Sequence, residues 1–160
     1  MRRFGKMKRL NLQRFKYPDD IDKELVPFLD AANSIPGLRT MYCCSGHGNS
    51  MFYVMFACCN ETVASRIFKL FRIPIPKQLE FEPGYSKNDI RERTVASKDN
   101  KFSAVLDDPE ILRYRGFCPQ ETISITIYSK WLGTMKSKDR RLELSKLRKN
   151  ILEFVPKKHW

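Results

Sequence analysis

The stretch Cys44-Ser45-Gly46-His47-Gly48-Asn49-Ser50 concentrates residue types that can do chemistry. Two glycines flank one histidine, so the backbone there can take positive φ and approach a ligand closely. Successive N–H groups in such a turn can form an anion-binding nest. His47 can give or take a proton near neutral pH. Ser45, Asn49 and Ser50 add hydrogen-bonding capacity, and Cys44, just before the turn, can touch a ligand or act as a nucleophile. The plainer alternative is a hairpin turn made of ordinary turn residues, with His47 exposed. A Cys–His pair would have to join Cys44 or Cys43 to His47, because the other histidine, His159, is the penultimate residue. No orienting third group lies close by in sequence.

Upstream, strand alternation predicts that Thr40, Tyr42 and Cys44 share one face and Arg39, Met41 and Cys43 the other. On the first face Tyr42 can stack on a base, while Arg39 can reach a phosphate or simply face solvent. The candidate ligand-binding set is therefore Arg39, Thr40, Tyr42, Cys44, Ser45, Gly46, His47, Gly48, Asn49 and Ser50.

The five cysteines, Cys43, Cys44, Cys58, Cys59 and Cys118, do not form the pattern of a secreted disulfide framework. Zinc is tested by Cys43, Cys44, His47, Cys58 and Cys59. A strand from Met51 would carry Cys58 roughly 23 Å from the turn, too far for a shared tetrahedral ion. No metal is expected, and Cys58 and Cys59 read as buried reduced thiols. Asp107, Asp108 and Glu110 read as a helix start rather than a metal site. Arg113 and Arg115 follow as a basic patch or as their partners. Trp131 reads as cover for a sheet edge.

The elements that must position the loop follow from periodicity. Asp19 or Asp20 can cap a helix carrying Ile21, Leu25, Phe28, Leu29 and Ala32 on one stripe, with Pro27 tolerated only if the helix starts late or bends. Pro36-Gly37 ends it. Leu38 to Cys44 and Met51 to Cys59 read as strands, the second apolar on both faces and so central. Asn60 caps a helix with a stripe of Val63, Ala64, Ile67, Phe68 and Phe71. A short strand at 78–81, a loop or hairpin over 84–100, a strand over 101–106 and a short helix from Asp108 follow. Thr122 to Tyr128 alternates as a strand with one polar, solvated face. A helix over about 137–155 carries a seam of Leu144, Leu147, Ile151 and Phe154. The order α-β-β-α-β-β-α-β-α predicts an α+β single-domain sandwich, with helices on a mixed or antiparallel sheet, over residues 19–160.

Charge is divided unevenly. The 160 residues carry a net +12. Residues 1–16 hold seven basic and no acidic residues, and residues 130–160 ten basic and three acidic, so the segment between them is slightly negative. Residues 1–18 read as a basic arm. Candidate polyanion contacts are Arg2, Arg3, Lys6, Lys8 and Arg9 in the arm, and Arg140, Arg141, Lys146, Arg148 and Lys149 in the last helix. No apolar run reaches the length of a membrane span or a signal peptide, so no membrane partner and a cytoplasmic location are expected. Whether copies of the chain associate is left open by the sequence.

Two resemblances reach the loop. The segment from Ile21 to Phe56 resembles the N-terminal signature of the tRNA wybutosine-synthesis methyltransferase family. Ile21-Asp22, Asn33, Thr40 and Cys44-Ser45-Gly46 match, and His47 stands where that family has arginine. This resemblance implies S-adenosylmethionine as cofactor and a tRNA guanosine as substrate; the residues themselves call for no cofactor. The same segment is similar to a group of small bacteriophage proteins, through Asn33, Ile35-Pro36-Gly37, Thr40, Cys44 and Gly46-His47-Gly48. That similarity implies a phage protein acting in the host cytoplasm. The leading expectation is a nucleotide- or RNA-binding protein, not an enzyme, holding its ligand at the loop and sequestering a host signalling nucleotide. The alternatives are an RNA methyltransferase-like enzyme and an adaptor whose basic ends meet an acidic host protein.

Overall fold

The structure is a computed structural model, and it describes Tyr17 and residues 20–75, 94–106 and 123–154. A single 3-10 turn, Lys23–Leu25, runs into helix α1, Val26–Asn33. The helix starts later than its apolar stripe suggests, and Pro27 is the reason: it falls in the first turn, where its missing N–H costs nothing. Gly37, at φ 82°, turns the chain into β1, Leu38–Cys44. Strand β2, Phe52–Cys58, returns beside it. Helix α2, Glu61–Leu70, is capped as its sequence predicts, with Asn60 Oδ1 accepting from the Val63 N–H at 3.0 Å.

Strands β3, Thr94–Ala96, β4, Ser103–Leu106, and β5, Ile123–Ser129, complete one sheet in the order β1-β2-β5-β4-β3, antiparallel at every pairing. A short helix α3, Lys130–Gly133, follows β5 directly, and α4, Ser137–Leu152, ends the described chain. The α+β class holds. The expected order changes in two places among the described residues: β3 forms inside the stretch read as a loop or hairpin, and α3 follows β5. The arm at 1–16, the strand at 78–81 and the helix from Asp108, with Asp107, Glu110, Arg113 and Arg115, lie outside the described residues.

The core joins the helices to the sheet. Phe28 of α1 sits edge-on to Phe56 of β2, with ring centroids 6.4 Å apart. Phe71, just past α2, lies 6.2 Å from Phe56 and 4.9 Å from Phe102. Leu144, Leu147 and Ile151 of α4 are buried in the same cluster. On the sheet, Val54 pairs with Ile127 and Phe56 with Ile125, all four fully buried. The polar side of β5 is not solvated as its alternation predicts. Ser124 and Thr126 are buried, because β5 is the central strand of the five, between β2 and β4.

Candidate functional site

The loop is positioned first by a bulge in β1. Thr40 lies opposite Phe56, yet Cys43 lies opposite Val54, so three residues of β1 span two of β2. One extra residue reverses the alternation beyond it. Cys43 thus packs on the core side, while Cys44 pairs with Tyr53. The expected shared face of Thr40, Tyr42 and Cys44 is therefore not formed. Thr40 is buried, and its role is structural: its N–H donates to Asn33 Oδ1 and its Oγ1 accepts from Asn33 Nδ2, both at 2.8 Å. Tyr42 is 60% exposed. Arg39 lies five residues before Cys44, roughly 16 Å along the strand, and so at the far end of β1 from the loop.

The loop itself is left-handed over three successive residues: Gly46 at φ 88°, His47 at 54° and Gly48 at 87°. The Gly46 carbonyl accepts from the N–H groups of Asn49 and Ser50 at 3.0 and 2.9 Å, and from Ser50 Oγ at 3.1 Å. The loop leans on α3 with no side chain between them. The Gly48 N–H donates to the Gly133 carbonyl at 2.9 Å. A Cβ on Gly46 would lie 2.5 Å from Gly133 Cα, and a Cβ on Gly133 would lie 2.1 Å from the Ser50 carbonyl oxygen. Glycine is required at both positions by close backbone approach.

This packing uses up the donors that an anion nest would need. The Ser45 N–H donates to Asp22 Oδ2 at 3.2 Å, that of Gly46 to Cys44 Sγ at 3.5 Å, and that of His47 to Ser45 Oγ at 3.2 Å. With Gly48, Asn49 and Ser50 bonded as above, all six successive amides have partners inside the protein. What the loop offers a ligand is side chains, and the most prominent is His47.

Two carboxylates that local sequence patterns do not single out as site residues support it. The 3-10 turn carries Asp22 and Glu24 to the loop. His47 Nδ1 lies 3.6 Å from Asp22 Oδ2 and 3.5 Å from Ser45 Oγ. Both neighbours are at Nδ1, and the imidazole is 65% exposed. A Ser-His-Asp relay needs the hydroxyl and the carboxylate on different ring nitrogens, so this is not one. Ser45 is fully buried. Cys44 Sγ meets the Gly46 N–H, and among the described residues no hydrogen bond joins it to the His47 ring.

Glu24 is the hub of the buried side. Arg140 Nε bonds Glu24 Oε1, and Arg140 Nη1 donates to the Met135 carbonyl at 2.6 Å. Ser137 Oγ donates to Glu24 Oε2 at 3.1 Å, and Arg141 Nε lies 3.8 Å from the same oxygen. Burial pushes the Glu24 carboxyl up, but the hydrogen bonds from Arg140 and Ser137, with the Arg140 charge, hold it below its ordinary value. Arg140 is only 4% exposed. It is a structural cation and not the surface phosphate contact expected from its place in a basic helix. Arg141, Lys146, Arg148 and Lys149 are exposed as expected, with Lys146 Nζ 3.3 Å from Glu143 Oε1. The arm residues Arg2, Arg3, Lys6, Lys8 and Arg9 lie outside the described residues.

The thiols divide by environment. Burial, with the Asp22 charge, pushes the Cys43 thiol up to about 11, and burial raises Cys58 further. Neither supplies a thiolate at neutral pH. Among the described residues no group of three or more His, Cys, Asp or Glu side chains is placed to share a metal ion. Trp131, read as structural, sits edge-on to Phe102 at 5.9 Å under the Lys101 ammonium, which is 4.4 Å from the ring centroid. No helix among the described residues is long and apolar enough to cross a membrane.

Of the expected loop set, the structure gathers Cys44 to Ser50 around one turn, leaves Tyr42 exposed near it, and separates Arg39 and Thr40 from it. Asp22 escapes local patterns because it lies 23 residues before Ser45, and Glu24 because its partners Ser137 and Arg140 lie 113 and 116 residues after it, so only the fold pairs them. No protein-family model matches the chain, and no curated protein and no solved structure matches it either.

Proposed function

We propose that this chain is a nucleotide- or RNA-binding protein that presents the His47 imidazole to its ligand from the Cys44–Ser50 turn. The observation that carries the reading is the conformation of His47. A left-handed backbone costs a non-glycine residue about 1–2 kcal/mol, and His47 is held there between two glycines with its ring at the surface. Its Nδ1 faces Asp22 and Ser45, which leaves Nε2 to a ligand. Strain retained at an exposed side chain is a reason to look for function at that side chain. The nucleotide part of the reading rests on charge, because the basic residues are concentrated in the N-terminal stretch and in the region of α4.

The test is His47→Gly in the full chain, which removes the ring and relaxes the backbone. Affinity is measured for nucleoside mono- and triphosphates, a short oligouridylate and S-adenosylmethionine. The expected result is a loss of about tenfold or more for a nucleotide or the RNA, with no fall in melting temperature. Unchanged affinity for every ligand that the wild type binds, or no binding by the wild type, overturns the proposal. A response confined to S-adenosylmethionine replaces it with the methyltransferase-like reading.

A further inference from the structure

A cleft of about 460 Å³ lies between the Lys23–Leu25 turn and α4. We propose that it is a second subsite for the same class of ligand, holding a phosphate-bearing nucleotide unit at Lys23, Arg141 and Arg148. The proposal rests on the nucleotide reading of the His47 turn and extends it to residues that turn does not contain. Pro27 and Leu144 provide the apolar part of the wall, and Glu24 closes the inner end. The size falls within the range of small-molecule sites, and an apolar wall beside a few well-placed polar groups is their usual composition.

Charge decides what fits. Glu24 is the one carboxylate lining this cleft, and Arg140 already neutralises it from the buried side. Arg141 is 70% exposed and reaches Glu24 only at 3.8 Å. Among the described residues Lys23 and Arg148 make no ion pair. Three cations therefore face the cleft against one carboxylate that has its own partner. Arg141 and Arg148 are seven residues apart in α4, two turns along one face and about 10.5 Å apart in rise. Their planar guanidinium forks suit phosphate oxygens, which accept two parallel hydrogen bonds. An apolar wall beside them suits a base. A free mononucleotide and one unit of a strand share this chemistry.

The subsite is also wired to the turn. Glu24 and Asp22 flank Lys23 at one 3-10 turn, and Asp22 Oδ2 accepts from the Ser45 N–H at 3.2 Å and lies 3.6 Å from His47 Nδ1. The two regions thus adjoin through the Lys23–Leu25 turn, and a strand can touch both.

The experiment compares Arg141→Gln/Arg148→Gln with Lys138→Gln, an exposed cation of α4 outside the cleft, in the full chain. Binding of a short oligouridylate and of adenosine monophosphate is followed from about 50 to about 200 mM salt. For the double variant the RNA affinity is expected to fall at least tenfold, and the salt slope to shrink by about 1.4, two single-strand contacts' worth. Lys138→Gln is expected to change either quantity much less. Loss of adenosine monophosphate binding in the double variant assigns the subsite to a free nucleotide as well; loss confined to the RNA assigns it to a strand. An unchanged double variant, or an equal effect of Lys138→Gln, overturns the subsite. If His47→Gly still abolishes binding in that case, the reading of the turn survives; if it too has no effect, both fall. Binding of polyglutamate by the wild type but not by the double variant, with no binding of RNA or nucleotide, replaces the nucleotide with an acidic peptide.

Discussion

The turn from β1 to β2 and the turn from β3 to β4 both reverse an antiparallel pair, and both place a non-glycine residue in left-handed backbone. They are built differently. From β3 to β4 that residue is Asn100, at φ 58°, a type whose short polar side chain tolerates this region. The side-chain bonds among its own residues are local, and one bond reaches further: Ser129 Oγ donates to the Lys101 carbonyl at 2.7 Å. Ser97 Oγ donates to Asp99 Oδ1 at 2.7 Å, the Lys101 N–H donates to the same oxygen at 3.2 Å, and the Phe102 N–H donates to Ser97 Oγ at 3.1 Å. The hydrogen bonds from Ser97 and Lys101 hold the Asp99 carboxyl below its ordinary value. From β1 to β2 the left-handed residue is His47, and its turn is tied to Asp22 far upstream and Gly133 far downstream. A turn that only reverses a chain needs neighbours. The one at His47 is fastened to two distant parts of the fold, and that expense is concentrated under an exposed imidazole.

The largest expected effect lies beneath that turn. Arg140→Leu leaves Glu24 buried without its main partner, and removing one member of a buried ion pair costs about 3–5 kcal/mol. Urea unfolding measures it, and a cost below about 1 kcal/mol would show that Arg141 takes over. The pH dependence has a definite sign. Glu24 has a folded pKa below its ordinary 4.5, so its contribution is present above that value and is lost as pH falls through the folded pKa. Glu24→Gln is therefore expected to flatten the loss of stability below about pH 4.5. Asp99→Asn is expected to flatten it less, because that carboxylate is exposed and solvent-screened. Equal effects would remove the distinction between the two turns.

Next in size are the glycines. Gly133→Ala forces a Cβ to 2.1 Å from the Ser50 carbonyl oxygen and 2.3 Å from the Phe52 nitrogen. Backbone cannot yield as a side-chain tip can, so a cost of about 3 kcal/mol is expected. Gly48→Ala meets only the Met135 carbonyl oxygen at 3.4 Å, which leaves the left-handed penalty of about 1–2 kcal/mol. Urea midpoints rank the two. The reverse ranking would mean that the turn does not rest on α3 backbone to backbone.

The fold was legible in the sequence wherever one local rule sufficed. Asn60 capping α2, the stripes of α2 and α4 and the interior position of β2, between β1 and β5, all follow from caps and periodicity. The β1 bulge was not legible, because a single inserted residue leaves the composition of the strand unchanged while reversing the side on which Cys43 and Cys44 lie. The buried polar side of β5 was missed for a related reason: alternation tells which residues share a face, but not what covers it. At the candidate site, Gly46-His47-Gly48 stood out by residue type. The roles of Arg140, Glu24 and Gly133 did not, since a buried arginine in a basic helix looks like its solvated neighbours until the fold gives it a carboxylate.

The smallest effect is the sharpest test of the comparison. Replacing a left-handed residue by glycine relieves about 1–2 kcal/mol of backbone cost and loses about 0.5–1 kcal/mol to the freer unfolded chain. For His47→Gly the side-chain loss is slight, because the contact with Asp22 spans 3.6 Å and the ring is mostly in water. A net gain of about 0.5 kcal/mol is expected. For Asn100→Gly the relief is smaller, because asparagine already tolerates this backbone, and the change should stay within about 0.3 kcal/mol of zero. Urea midpoints of the two variants, measured side by side, decide the point. If His47→Gly stabilises while Asn100→Gly does not, the histidine is held at a cost that the fold does not require, as a ligand-binding side chain would be. If His47→Gly destabilises by more than about 1 kcal/mol, the ring is part of the scaffold. The two turns would then differ only in how far away their partners lie.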